Sequence, residues 1–473
     1  MSSFGSISTA LTALQAHRRA LDVTGNNIAN ANTAGYTRQR AELTSRVAPG
    51  VQSLHAASRL TGNGVEVTGT SRLGDAFLDA RVRSQTSLSA ELTGRAQTLA
   101  AVEDLMAEPG EQGLGAQLQK MWAAWSDVAA HPEQDSARRV VLQTSQAVVD
   151  RIRSGHAAVA SLWGQQRDQA GATVTEVNET AASVADLNEQ VRAAVTNGGS
   201  ANELMDQRDQ LVTRLVELTG ASVLAGRDGV VDVYLGGSAL VRGTTADAVV
   251  LTAPTQMSGV DASATPPAVA GFAWASGGAA TVSGGSLKAS VDALNTVLPG
   301  AAGEYDRVAR ALAGRVNAVH EQGRGPNDPD APALRPFLSP SPSTAVTAEN
   351  LRLAVTSPGE LAAAVPGQGA QDGKNAAAIA RVGVALDGPD AVWRASVVAT
   401  GVDVQAAQRR ADVAQQSMAA AVGDQVSAAG VSLDEETANL LVIQRAYEGA
   451  ARVLTAVDQA LDTLINRTGL VGR

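Results

Sequence analysis

The chain has 473 residues, which at about 150 residues per domain gives a prior of three domains. Hydrophobic residues make up 44% and mean hydropathy is −0.02, but there are only five Trp, four Tyr and four Phe, so cores must be built from Leu, Val and Ala, which favours close-packed helices. A formal charge of −10, with Lys120, Lys288 and Lys374 the only lysines, argues against nucleic acid as a partner; zero Cys removes disulfides, thiol catalysis and thiolate metal sites.

Met1 to Asp22 has neither a basic start nor an unbroken apolar run, so no cleavable secretory signal is expected. No stretch of 18 apolar residues occurs anywhere, so membrane insertion is not expected. The N-terminal segment carries two seven-residue seams. One is Phe4, Leu11, Arg18 and Gly25; the other, Ile7, Leu14, Leu21 and Ile28, is apolar at every step. At the far end Leu440, Ile443, Tyr447, Ala450, Leu454, Val457, Leu461 and Leu464 alternate three and four apart, the narrow stripe of a coiled coil. Strict seams at both ends favour a paired terminal domain over two ordinary amphipathic helices.

Asn26 to Arg38 closes the first helix: Asn tolerates the left-handed conformation and Gly supplies positive φ, so the cluster is a stop with a defined exit, followed by extended chain from Thr37 to Leu43. Residues 73–220 read as helices broken at Pro109-Gly110, His131-Pro132 and Gly198-Gly199. Leu114, Leu118, Met121, Trp122, Trp125, Val128 and Ala129 share one helical face, which marks a core. From Ala221 the period changes, and Gly226-Arg227-Asp228-Gly229 between Val-rich runs is a hairpin signal. Residues 252–285 read as loops with short strands. Helix returns over 287–321, a linker with Pro326, Pro329, Pro332, Pro336, Pro340 and Pro342 leads to a short strand at 351–355, and a last helical region runs from about 390, breaking near Gly430.

Reactive constellations are missing from the sequence. No two His are i, i+4 partners; Gly373-Lys374-Asn375 lacks the Ser or Thr of a P-loop; there is no G-x-S-x-G elbow; and Pro332 stands where a calcium loop needs a ligand. Asp206/Asp209 and Asp434-Glu435-Glu436 pair carboxylates, but beside Arg208 and at a helix start, where a structural role is expected. No catalytic, cofactor or metal site is expected.

The helix-ending string Asn26 to Arg38, with Asn27, Asn30, Asn32, Thr33, Gly35, Tyr36 and Arg38, resembles the signature of the axial proteins of the bacterial flagellum: rod, hook and hook-associated proteins. Gly62-Asn63-Gly64-Val65-Glu66-Val67 with Arg72, Asp75 and Phe77-Leu78 resembles the segment that follows this signature, and further blocks resemble the hook-associated branch: Asn202 to Leu211, Asn317 to Gly323, Gly430 to Leu440, which holds Leu433, Asp434, Glu435, Glu436 and Asn439, and Gln444 to Tyr447. Ile443-Gln444-Arg445 and the region 324–350 depart from that pattern.

The resemblance implies a mainly α fold with inserted β domains. Residues 1–35 with 431–473 form a terminal helical coiled-coil domain, and 36–72 an extended or β connector. Residues 73–220 with 390–430 form a helical domain, followed by a β-rich segment 221–286, a helix 287–323 and a Pro- and Gly-rich mixed β outer segment 324–389. It implies an extracellular structural adaptor at the hook–filament junction, exported unfolded and polymerised through its ends. Its implied partners are copies of itself, hook protein, a second hook-associated protein, the export apparatus and a chaperone on the C-terminal stripe. The expected assembly interface is Ile7, Leu11, Leu14, Leu21, Ile28, Leu440, Ile443, Tyr447, Leu454, Val457, Leu461 and Leu464. Because 25 residues from Leu440 carry seven large seam side chains, burial of about 1.5–3 kcal/mol each leaves a lone helix pair marginal against ordering costs of about 1–2 kcal/mol per residue. The ends are therefore expected to order on neighbouring subunits. A hook or rod protein is the alternative within the class; a glycan hydrolase or a cytoplasmic coiled-coil scaffold lies outside it.

Overall fold

The computed structural model describes residues 3–46, 64–328, 330–340, 345–369 and 371–463. Leu464 of the C-terminal seam, Pro329 and Pro342 of the linker, and Gly62-Asn63 lie outside the described residues.

The chain begins with α1 (Ser3–Ala29), then an antiparallel hairpin of β1 (Gln39–Ser45) and β2 (Val65–Arg72). Four helices follow: α2 (Ala76–Met106), α3 (Leu114–Ala130), α4 (Asp135–Thr196) and α5 (Asn202–Thr219). Their breaks fall at the Pro and Gly pairs that cannot continue a helix. Asp75 caps α2, its carboxylate accepting from the Phe77 and Leu78 amides at 2.8 and 3.4 Å. The α3 face Leu114, Leu118, Met121, Trp122, Trp125 and Val128 is buried.

The β-rich part is two antiparallel meanders: β3 (Ser222–Ala225), β4 (Val231–Leu235), β5 (Ser238–Arg242) and β6 (Thr245–Ala246), then β7 (Val249–Thr252), β8 (Gly271–Trp274) and β9 (Ala279–Ala280). The first hairpin turns at Asp228 and Gly229, with φ of 55° and 79°. Helix resumes as α6 (Gly285–Asp292), a π turn (Ala293–Val297) and α7 (Leu298–His320). Among its described residues the segment 324–389 contains one short strand pair, β10 (Leu338–Pro340) with β11 (Leu351–Leu353), and α8 (Lys374–Ala380). The chain ends in α9 (Pro389–Ala429) and α10 (Leu433–Asp462).

Two cores result. The first packs α3, the first two-thirds of α4, α7 and α8. Segment 324–389 joins this core through Phe337, Ala348, Leu351, Val355 and Leu361, so it packs on the helical domain and holds little strand of its own. The second core packs the last third of α4 and α5 against both meanders. At 62 residues α4 spans about 90 Å and takes part in both. Beside them α2 and α9 meet along Ala96, Ala407 and Ala411, small residues that let two long helices approach closely. Among the described residues no helix is long and apolar enough to cross a membrane.

Candidate functional site

The first and last helices pack on each other. Of the expected interface residues, Ile7, Leu14, Leu21, Ile28, Leu440, Ile443, Leu454, Val457 and Leu461 are half-buried, whereas Leu11 and Tyr447 are exposed. The chain's own α1–α10 pairing thus already covers much of the seam that the burial argument assigned to neighbouring subunits. α10 leaves Leu441, Val442 and Val453 54%, 67% and 52% exposed, and Glu436 is its only buried residue among those described. A groove of about 330 Å³ lies at the elbow where α1, β1 and α10 meet, lined by Val23, Leu43, Val442 and Ile443 among others.

A polar knot closes that elbow. Asn27, 1% exposed, uses its whole carboxamide: Nδ2 donates to the Gln39 carbonyl at 2.9 Å and to Glu436 Oε2 at 3.0 Å, while Oδ1 accepts from the Gln39 amide at 3.0 Å and the Tyr36 hydroxyl at 2.9 Å. Arg38 Nε donates to Glu436 Oε1 at 2.8 Å and Nη1 to Glu435 Oε2 at 2.8 Å, so one guanidinium holds two of the three carboxylates of the α10 first turn. The Arg38 amide donates to the Ala429 carbonyl at the end of α9, and the Ser432 hydroxyl caps α10 by accepting from the Glu435 amide. The acidic run is placed by a helix start, as expected, and by a cation from the opposite end of the chain.

The same motif docks on α5. Gln39 Nε2 donates to Glu203, and Asn202 Nδ2 donates to Gln39 Oε1. The Thr37 amide donates to Asp206 Oδ2 at 3.2 Å. Arg72 donates to Asp209 at 2.8 Å; its Nε lies 3.0 Å from Asp206 Oδ1, in an ion pair without hydrogen-bond alignment. Burial pushes the Asp206 carboxyl up, opposed by Arg72 and the Thr37 amide. Burial, then the carboxylates Glu203, Asp206 and Glu436, push the Tyr36 phenol up to about 12, which keeps it a neutral donor to Asn27. Gly35 has φ +76°, and a Cβ there would sit 2.0 Å from Gln210 Nε2, whose amide group donates to the Ala34 carbonyl at 2.8 Å. Asn30 bonds back to Asn26 and accepts from Thr33, setting the turn; Asn32, Leu433, Asp434 and Asn439 are exposed and bring no side chain to the knot. Gln39, Arg72, Asn202, Asp206 and Gln210 complete it. The Asn202–Leu211 block had marked where these last partners lie, but not which of them face the N-terminal motif.

Three family descriptions match the chain: flagellar hook-associated protein FlgK helical domain over 99–331, flagella basal body rod protein over 7–37, and flagellar basal body rod FlgEFG protein C-terminal over 425–467. Flagellar hook-associated protein 1 of Bacillus subtilis (strain 168) is 27% identical over the whole of both chains. Those of Escherichia coli (strain K12) and Salmonella typhimurium are 30% and 31% identical over 243 residues, 51% of this chain and 43% of theirs. The chain belongs to the flagellar hook-associated protein 1 family. Its fold is shared with the flagellar hook junction protein FlgK from Burkholderia pseudomallei, with a TM-score of 0.59 at 15% identity, over 72% of this chain and 99% of that one.

Within the family's helical domain, the block from Asn317 is a second closure. Asn317 accepts from the Phe337 and Leu338 amides and donates to the Leu338 carbonyl. His320, fully buried, has Nδ1 at 3.0 Å from the Arg335 carbonyl and Nε2 accepting from the Ala362 amide at 3.0 Å, which fixes the neutral Nδ1–H tautomer. Burial takes its pKa down to about 4. Asp390 accepts from Trp122 and Gln119, and burial raises its pKa. These groups are pinned inside packing contacts. Among the described residues no cluster of potential ligands is arranged to hold a metal.

Proposed function

We propose that this protein is a structural adaptor at the hook–filament junction, secreted unfolded by the flagellar export route and polymerised outside the cell through its terminal helices. The observation that carries this reading is the state of α10. It is fastened at its start by Arg38 and Asn27, lies on α1, and leaves Leu441, Val442 and Val453 in solvent. An apolar helix face of this kind favours cover by further protein. Copies of the chain, hook protein below and a second hook-associated protein above are the proposed neighbours; a chaperone on the same stripe is the proposed partner before export. The match to the helical domain over 99–331 favours this over a hook or rod protein, since the terminal matches are of the general rod type. The role is non-enzymatic.

A strain lacking the protein should keep its hooks, lack filaments and release filament protein into the medium. Complementation with the intact gene should restore filaments, and with Leu454→Asp/Val457→Asp should not. Filaments on the deletion strain would overturn the proposal.

A further inference from the structure

The helical domain carries an apolar projection and an apolar recess that stand open among the described residues. The projection is the turn joining α8 to α9. Val384 and Leu386 are 85% and 99% exposed, the two most exposed large apolar side chains among the described residues. The turn is held rigidly. Val382 is buried behind it, and Gly383 lies so close to Trp122 that a Cβ would come within 2.4 Å of the ring. The Ala385 and Gly388 amides close two turns onto Val382 and Ala385, and Asp387 is ion-paired with Arg315. The side chains are therefore presented with little conformational freedom left to lose on binding.

The recess lies further along α9, where α9 packs on α2. It has a volume of about 520 Å³ and is lined by Leu88, Leu92, Ala406, Val413 and Ala414. Arg409 and Arg410 flank it, both exposed and neither with an ion-pair partner among the described residues. From Pro389 at the base of the projection to Arg410 is 21 residues of continuous helix, about 30 Å along the axis. The two features cannot meet within one chain.

We propose that the projection of one copy seats in the recess of the next, with Val384 and Leu386 against Leu88, Leu92 and Val413, and Asp387 facing Arg409 and Arg410. Charge selects this occupant. The Asp387 side chain is 65% exposed although it is paired with Arg315, so it retains acceptor capacity for a second guanidinium. A contact between two different surfaces of the same chain repeats head to tail and builds a ring or an open helical assembly instead of a two-fold dimer. The proposal rests on the self-assembling role argued above and adds a second contact, in the helical domain, separate from the terminal helices.

The chain has no Cys, so single cysteines report contacts between copies cleanly. Full-length Leu386→Cys and Val413→Cys proteins are mixed, concentrated until light scattering records association, and oxidised. The expected result is a disulfide-linked dimer in the mixture, with at least about tenfold less in either protein alone, since cross-linking requires the two Cα atoms to come within about 7 Å. Cross-linking of Leu386→Cys alone, no cross-link in the mixture, or no association up to the solubility limit would each overturn the proposal. In a Leu454→Asp/Val457→Asp background the mixed cross-link should persist; its loss there would overturn the independence of this contact. Loss of the mixed cross-link while terminal-helix association continues would defeat this inference and leave the junction role standing.

Discussion

At the scale of single residues, one device recurs. Five asparagines on helical segments each pair with both the amide and the carbonyl of one residue on a strand or extended segment: Asn27 with Gln39, Asn178 with Val249, Asn188 with Val231, Asn295 with Ala270 and Asn317 with Leu338. A carboxamide offers the same donor and acceptor as a peptide group, so it supplies the strand edge that a helix cannot. Asn188 is fully buried and also donates to the part-buried Gly243 carbonyl, so Asn188→Ala leaves the two buried Val231 backbone groups and that carbonyl without this partner. A loss of about 3 kcal/mol is expected in urea unfolding followed by near-UV signal. His320 is one residue-scale source of pH dependence. Its folded pKa of about 4 lies below the ordinary 6.5, so the unfolded chain binds the extra proton. The associated stability is full above pH 6.5 and is lost as pH falls from there towards 4, by about 3 kcal/mol in all. Unfolding midpoints at pH 7 and pH 4.5 should therefore differ less in His320→Gln than in the parent; equal differences would rule this out.

At the scale of elements, α4 ties the two cores together and its small residues set how closely its neighbours approach. Gly155 faces Tyr305 of α7, and a Cβ there would lie 2.3 Å from the ring. The ring is itself packed at 5.1 Å from Trp393, so it has little room to retreat. Gly155→Ala should cost about 2 kcal/mol through overpacking, against the gain that alanine gives an exposed helix position. Gly171, on the same helix with nothing near its Cβ position, is the control and should tolerate alanine. The α2–α9 pair follows the same logic along Ala96, Ala407 and Ala411. Periodicity in large apolar residues did not reveal this seam, because alanine marks close approach without a strong hydropathy signal.

At the scale of the whole molecule, the two ends of the sequence meet twice, as a helix pair and as a knot at its inner end. The knot places Glu436, 409 residues from Asn27, in the same buried network. Arg38→Ala leaves Glu436 as an uncompensated buried carboxylate, which should loosen the start of α10 by about 3 kcal/mol while the helical domain stays folded. Limited proteolysis should then cut near Gly430 well before it reaches α2 or α9, and faster than in the parent chain. Unchanged cleavage, or simultaneous loss of the helical domain, would contradict this separation of units.

Local signals by themselves placed the helix breaks, the Asp228-Gly229 hairpin, the buried α3 face and the two heptad seams, since each depends on backbone freedom or periodicity within a few residues. The family blocks also located the pieces of the elbow. Tertiary structure alone decided that Arg38 faces Glu435 and Glu436, that Gln39, Arg72 and Asp206 join the network, and that segment 324–389 packs on the helical core. It also showed that each terminal seam is already half-covered by the other. Those outcomes depend on which desolvated donors and acceptors meet across hundreds of residues, and no short-range pattern encodes such pairing.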